Sequence, residues 1–122
     1  MIKSLKMMWI LVLGLGLSTV AGYVQAANQW KNNHPRRAQV NRRLNRQNRR
    51  INQGVKKGTL TKGQAAQLHK EDHQIRQEER DMAAQNGGHI TKQEQKTLNQ
   101  QENAASKQIY DEKHPAAAAA GQ

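Results

Sequence analysis

Two stretches of the chain, thirty residues apart, repeat one pattern. Gly58-Thr59-Leu60-Thr61-Lys62-Gly63-Gln64 aligns with Gly88-His89-Ile90-Thr91-Lys92-Gln93-Glu94, and Leu68 then falls on Leu98. The shared form is G-x-[LI]-T-K-x-[QE]-x-x-x-L. Each position has a physical reading. Gly58 and Gly88 can take a positive φ and end the preceding helix. Thr61 and Thr91 are N-caps, and Gln64 and Glu94, three residues on, complete capping boxes. Leu60 and Ile90 precede the caps, where a hydrophobic staple forms. Each unit therefore reads as helix, Gly turn, capped helix.

Two such turns divide the chain into three helices. The first begins near Pro35, a favourable first helical residue, and runs to about Gln53. Val40, Leu44, Ile51 and Val55 share one side of it, with every arginine off that stripe. The second runs from about Lys62 to Gln85, with Leu68, Ile75 and Met82 recurring every seven residues, Ala65 beside them, and Asp72 and Glu79 between. The third runs from about Lys92 to Lys113, carries Leu98, Ala105, Ile109 and Tyr110, and stops before Pro115. Helical periodicity is present throughout and strand periodicity nowhere. The expectation is an all-α fold of three antiparallel helices, or a bent hairpin, spanning residues 35–114. Ala27–His34 reads as a polar linker and residues 115–122 as an Ala-rich flexible tail.

The N-terminus differs in character. Lys3 and Lys6 precede an apolar run, Met7–Leu17, and Val24-Gln25-Ala26 offers small residues at the −3 and −1 positions of a signal-peptidase site. This three-part pattern describes a secretory signal peptide over residues 1–26, a helix removed by a cut after Ala26. The run is shorter than the ~20 apolar residues that span a membrane. No cysteine follows it, so lipoprotein processing is excluded. The address implied is periplasmic or secreted.

Without its signal the chain is thinly hydrophobic. Ten Leu, Ile and Val remain, there is no Phe, and Asn and Gln together number 25. Such a chain builds only a narrow core of marginal stability. Removal of Lys3 and Lys6 leaves 18 of the 20 Lys+Arg against 9 Asp+Glu. The surplus is segregated: Lys31 to Lys62 holds eleven basic residues and no acidic one. Arg36, Arg43 and Arg50 recur every seven residues, and Arg42, Arg46 and Arg49 extend an adjoining face, so these six form a candidate cationic strip. The acidic stretch Glu71–Asp81 of the second helix is the competing use for those charges. In an exported protein the anionic partners are lipid headgroups, surface polysaccharide, lipopolysaccharide or acidic client proteins. Peripheral membrane contact fits, whereas export argues against nucleic acid.

Metal and catalytic chemistry have less to draw on. His69 and His73 are four apart, which puts both imidazoles on one helix face and makes them a candidate pair for Zn, Cu or Ni. No cofactor is implied. The chain has no Cys, Ser106 is the one serine after Ala26, and no H-E-x-x-H, P-loop or G-x-S-x-G occurs. The reading is a non-enzymatic binding protein.

The turn units resemble other proteins in three ways. Gly88, Ile90 and Glu94, and likewise Gly58, Leu60 and Gln64, fall where a degenerate EF-hand loop has its glycine, aliphatic and final ligand. The positions that should carry the first oxygen ligands hold Ala83, Gln85 and Gly87, and Gln53, Val55 and Lys57, so the resemblance implies the turn without the calcium site. Leu60-Thr61-Lys62-Gly63-Gln64 is similar to the LTxxQ motif of the Spy/CpxP family, and Ile90–Glu94 follows it loosely. That resemblance implies an exported, cationic, all-helical chaperone or metal-stress protein. Over residues 40–114 the chain also resembles small exported proteobacterial proteins with a repeated G-x-[LI]-T-x-x-[EQ] unit and a closing region like Asn103–Tyr110, which carry no assigned activity. The functional expectation is an exported binding protein of the bacterial envelope, stress-related or holdase-like, that meets anionic partners through its first helix. A divalent-metal binder using His69 and His73, and a purely structural or interaction protein, stand as alternatives.

Overall fold

A computed structural model describes residues 25–120. All but the end of the signal-peptide assignment lies outside them. The described chain is helical apart from its turns, with no strand. Helix α1 covers residues 25–33, and after it come α2 (Pro35–Lys57), α3 (Lys62–Gln85), α4 (Lys92–Lys113) and α5 (Pro115–Ala120). Residues up to His34 form one unit and those from Pro35 onward another. In the second unit α2, α3 and α4 pack pairwise as an antiparallel three-helix bundle. No described helix is long and apolar enough to cross a membrane.

Both repeated turns form as their residues dictate. Thr61 Oγ1 accepts from the Gln64 amide at 3.1 Å while Gln64 Oε1 accepts from the Thr61 amide at 2.9 Å. Thr91 and Glu94 repeat the exchange at 3.1 and 2.8 Å. Gly58 has φ +76°, and the second turn uses two such residues, Gly87 at +64° and Gly88 at +91°. The staple residues Leu60 and Ile90 are buried.

α2 runs a full turn beyond Gln53, because nothing stops it before Gly58. Its last buried position is therefore Gly54, and Val55 lies half-buried beside the core. A Cβ at Gly54 would stand 2.6 Å from Leu60 Cδ1 and 3.3 Å from Leu60 Cβ. The amides of Thr59 and Leu60 both donate to the Gly54 carbonyl, at 2.9 and 3.1 Å, so Leu60 cannot withdraw without breaking the turn. Gly54→Ala is expected to cost about 1–2 kcal/mol net in urea unfolding, overpacking outweighing the ~1 kcal/mol that alanine adds to a helix.

Two segments expected to be irregular are helical. Residues 27–33 of the expected linker 27–34 are helical; they lack Gly and Pro and are exposed along their whole length. Pro115 and the alanines after it, expected as a flexible tail, start a helix in the most favourable way and continue it with the best helix former. A recurring device ends α1 and α4. Trp30 stacks on His34 at 4.8 Å and Tyr110 on His114 at 4.4 Å. Each His Nδ1 lies 2.9 Å from the carbonyl of the aromatic residue four back. The following proline lacks an N–H and cannot extend the ladder. Tyr110 is consequently exposed rather than part of the α4 stripe.

The core is two clusters rather than one. Ile51, Leu60, Ala65, Leu68 and Ile109 pack at the end that carries the first turn. Val40, Leu44, Ile75, Ala83, Ile90, Leu98 and Ala105 pack toward the other, with Met82 at their margin. Between them, near the middle of each helix, sit Gln47, Asp72 and Glu102, all buried.

A polar layer and a candidate anion-binding face

The polar layer follows from spacing. Val40, Leu44, Gln47 and Ile51 step by 4, 3 and 4; so do Leu68, Asp72, Ile75 and Glu79, and Leu98, Glu102, Ala105 and Ile109. The acidic side chains at these positions are core residues, not parts of polar faces as their chemistry alone suggests. Gln47 Nε2 donates to the Glu102 carbonyl at 2.7 Å. Gln47 Oε1 and both carboxylate oxygens of Asp72 and of Glu102 have no hydrogen-bond partner among the described residues. Burial pushes Asp72 up to about 6, against the pull of Arg76 and Arg50 and with the push of Glu71. Burial likewise pushes Glu102 up to about 7, opposed by Arg43, Arg46 and Arg76 and reinforced by Asp72.

Glu79 is the third buried carboxylate and is differently served. Arg37 meets it with Nε on Oε1 and with Nη2 on Oε2 at 3.4 Å. Arg37 Nη1 also donates to the Gly88 carbonyl at 3.1 Å, and Arg36 reaches the Ile90 carbonyl at 3.3 Å. Two adjacent arginines at the start of α2 thus clamp the second turn.

The remaining arginines of α2 divide by side. Toward α4, Arg43 Nη2 bonds Asn103 Oδ1, and Nη1 lies 3.5 Å from the Asn99 carbonyl and 3.7 Å from Glu102 Oε1. Arg50 donates to Ser106 Oγ at 2.7 Å and to the Ser106 carbonyl at 3.3 Å. Arg42 and Arg49 are exposed, and so is Arg46, which also borders the α2–α4 cleft that Arg43 and Arg50 line. None of these three makes a hydrogen bond or ion pair among the described residues. The predicted strip of six is therefore two populations, one committed to the bundle and one facing solvent. Of the acidic stretch Glu71–Asp81, Glu79 alone takes an ion pair from α2 among the described residues.

The third side of α2 carries a ladder of asparagines at 41, 45, 48 and 52. Arg76 of α3 donates to Asn41 Oδ1 at 3.3 Å and to Asn45 Oδ1 at 2.9 Å. His69 sits between the other two, with Nδ1 3.1 Å from Asn48 Oδ1 and Nε2 3.0 Å from Asn52 Oδ1. Both ring nitrogens of His69 are thus engaged by α2, while His73 is exposed one turn on. No group of three or more His, Asp or Glu that could hold a metal occurs among the described residues. Of the pair expected from the four-residue spacing, His69 therefore faces α2 and His73 faces solvent.

Sequence reasoning missed Gln47, Glu102 and the asparagine ladder. For the first two the signal was present, since each fills the one vacant step of a 4-3-4 apolar series. No family model, curated protein or solved structure matches the chain.

Proposed function

We propose that this is an exported, non-enzymatic binding protein of the bacterial envelope, stress-related or holdase-like, whose helix α2 docks on anionic partners. The signal-like N-terminus supports the address. The observation that carries the binding reading is the outer face of α2, where Arg42, Arg46 and Arg49 stand exposed and make no ion pair among the described residues. α2 itself contains no Asp or Glu. A row of exposed guanidiniums attracts an anionic surface and offers each phosphate or carboxylate a bidentate contact.

The reading is tested by co-sedimentation with phosphatidylglycerol vesicles. A lysine or arginine near such a surface contributes ~1 kcal/mol, so replacing Arg42, Arg46 and Arg49 together by Gln should weaken association ~100-fold. Raising salt from about 0.05 to about 0.5 M should abolish most of the wild-type binding. Association that ignores both changes refutes the reading.

A further inference from the structure

The cleft between α2 and α4 lies beside the polar layer. Arg43, Arg46, Gln47 and Arg50 of α2 and Ser106 of α4 line it, and its volume is about 250 Å³. That is below the ~300 Å³ at which pockets for larger organic ligands begin. It equals the space of about eight waters.

Its charge is unusual for so small a space. Arg43 and Arg50 are held by oxygen acceptors that bear no charge: Asn103 Oδ1 and the Asn99 carbonyl for the first, Ser106 Oγ and carbonyl for the second. These bonds fix both guanidinium planes, and the carboxylates that face the group, Glu102 toward Arg43 and Arg46 and Asp72 toward Arg50, are buried behind it. Arg46 stands one turn from each and has no hydrogen bond. The one carboxylate ion-paired to the group, Glu102, is buried, with Oε1 3.7 Å from Arg43. Three positive charges therefore converge on a cleft whose nearest negative partner makes no hydrogen bond to them.

We propose that this cleft binds a single tetrahedral oxyanion of the phosphate class, with Arg43, Arg46 and Arg50 as its donors and the Ser106 hydroxyl as a fourth. Guanidinium forks match the oxygen spacing of phosphate and give charge-assisted bonds. Two of the three are already fixed by α4, so little ordering is needed for capture. The ligand is a free phosphate or a phosphodiester headgroup. The inference deepens the anionic-partner reading by giving that partner's chemistry and the atoms that meet it.

The test is NMR of the arginine side-chain Nε–H groups of the whole chain during titration with inorganic phosphate, against chloride at matched ionic strength. Arg43, Arg46 and Arg50 should shift together and saturate with phosphate and not with chloride. Arg46→Gln, which removes an exposed and unbonded side chain, should weaken the phosphate response about fivefold or more, the worth of one ~1 kcal/mol charge contact. Phosphate shifts no larger than those of chloride, or spread equally over Arg42 and Arg49, overturn the proposal. An Arg42→Gln, Arg49→Gln double variant separates the two readings, since it should lose vesicle association and keep the phosphate response. A silent cleft with salt-sensitive vesicle binding intact defeats the cleft and spares the surface. Phosphatidylglycerol vesicles run in parallel identify the source. The same three arginines respond to them if the ligand is a headgroup, and to inorganic phosphate alone if it is free.

Discussion

Raising the pH from about 5 to about 8 should lower the thermal midpoint of the chain by ~10 °C or more. The cause is the Asp72 and Glu102 pair at the bundle's centre. Burial holds their carboxyls at about 6 and about 7, above the ordinary 3.8 and 4.5 of the unfolded chain. Between those limits the folded chain carries more protons than the unfolded one, so unfolding becomes easier as pH rises. The stabilisation is complete below about 4 and is lost as pH passes through 6 to 7. Between pH 5 and 8 the window spans about one pH unit for Asp72 and about two for Glu102, which at ~1.4 kcal/mol per unit amounts to about 4 kcal/mol. The groups facing them are known on every side: Arg43, Arg46 and Arg50 from α2 and Glu71 and Arg76 from α3. Melts followed by circular dichroism at four pH values decide the matter. An Asp72→Asn, Glu102→Gln variant should melt at nearly one temperature throughout. A wild-type midpoint that is flat or rises across this range would contradict the buried pair.

Arg37→Met should cost about 3–5 kcal/mol in urea unfolding, the largest effect expected of any single substitution outside the apolar clusters. It strands Glu79, whose side chain is only 1% exposed, without its ion-pair partner. It also removes the donor to the Gly88 carbonyl and loosens the second turn. Adding Glu79→Leu should return most of the loss, because the penalty comes from an unpaired buried charge and not from the missing bond. A double-mutant cycle reads this directly as strong non-additivity. Additive losses would show that the pair is solvated and the second turn independent of it.

The contrast between those two sites also shows what the sequence disclosed. The cap of each turn was legible to the residue, since a capping box is a local device whose partners lie three positions apart. The helix starts at Lys62 and Lys92 follow from it, and the ends at Gln85 and Lys113 from the Gly turn and Pro115 that come after. Glu102 was harder to place, because an acidic residue is ordinarily a surface residue and only the 4-3-4 rhythm around it says otherwise. The fate of each arginine was not legible. Arg42 and Arg43 are neighbours in sequence, and a 100° step of the helix sends one to solvent and the other against α4. His69 illustrates the same limit, since its engagement depends on asparagines seventeen and twenty-one residues earlier. Residues 27–33 of the expected linker and 115–120 of the expected tail are helical for another reason. Polarity and low complexity suggested coil, whereas helix formation at an exposed segment depends on propensity and on how its end is closed.

The division of the apolar interior by Gln47, Asp72 and Glu102 has a consequence for how such a chain tolerates change. Repacking after a substitution spreads through contacts between hydrocarbon side chains, and a stratum of amide and carboxyl groups interrupts that spread. Each turn therefore has an apolar cluster of its own, and Ala105, past Glu102 from Leu98, still packs with the Ile90 cluster. A substitution at Leu60 is expected to be met first by Ile51, Ala65, Leu68 and Ile109.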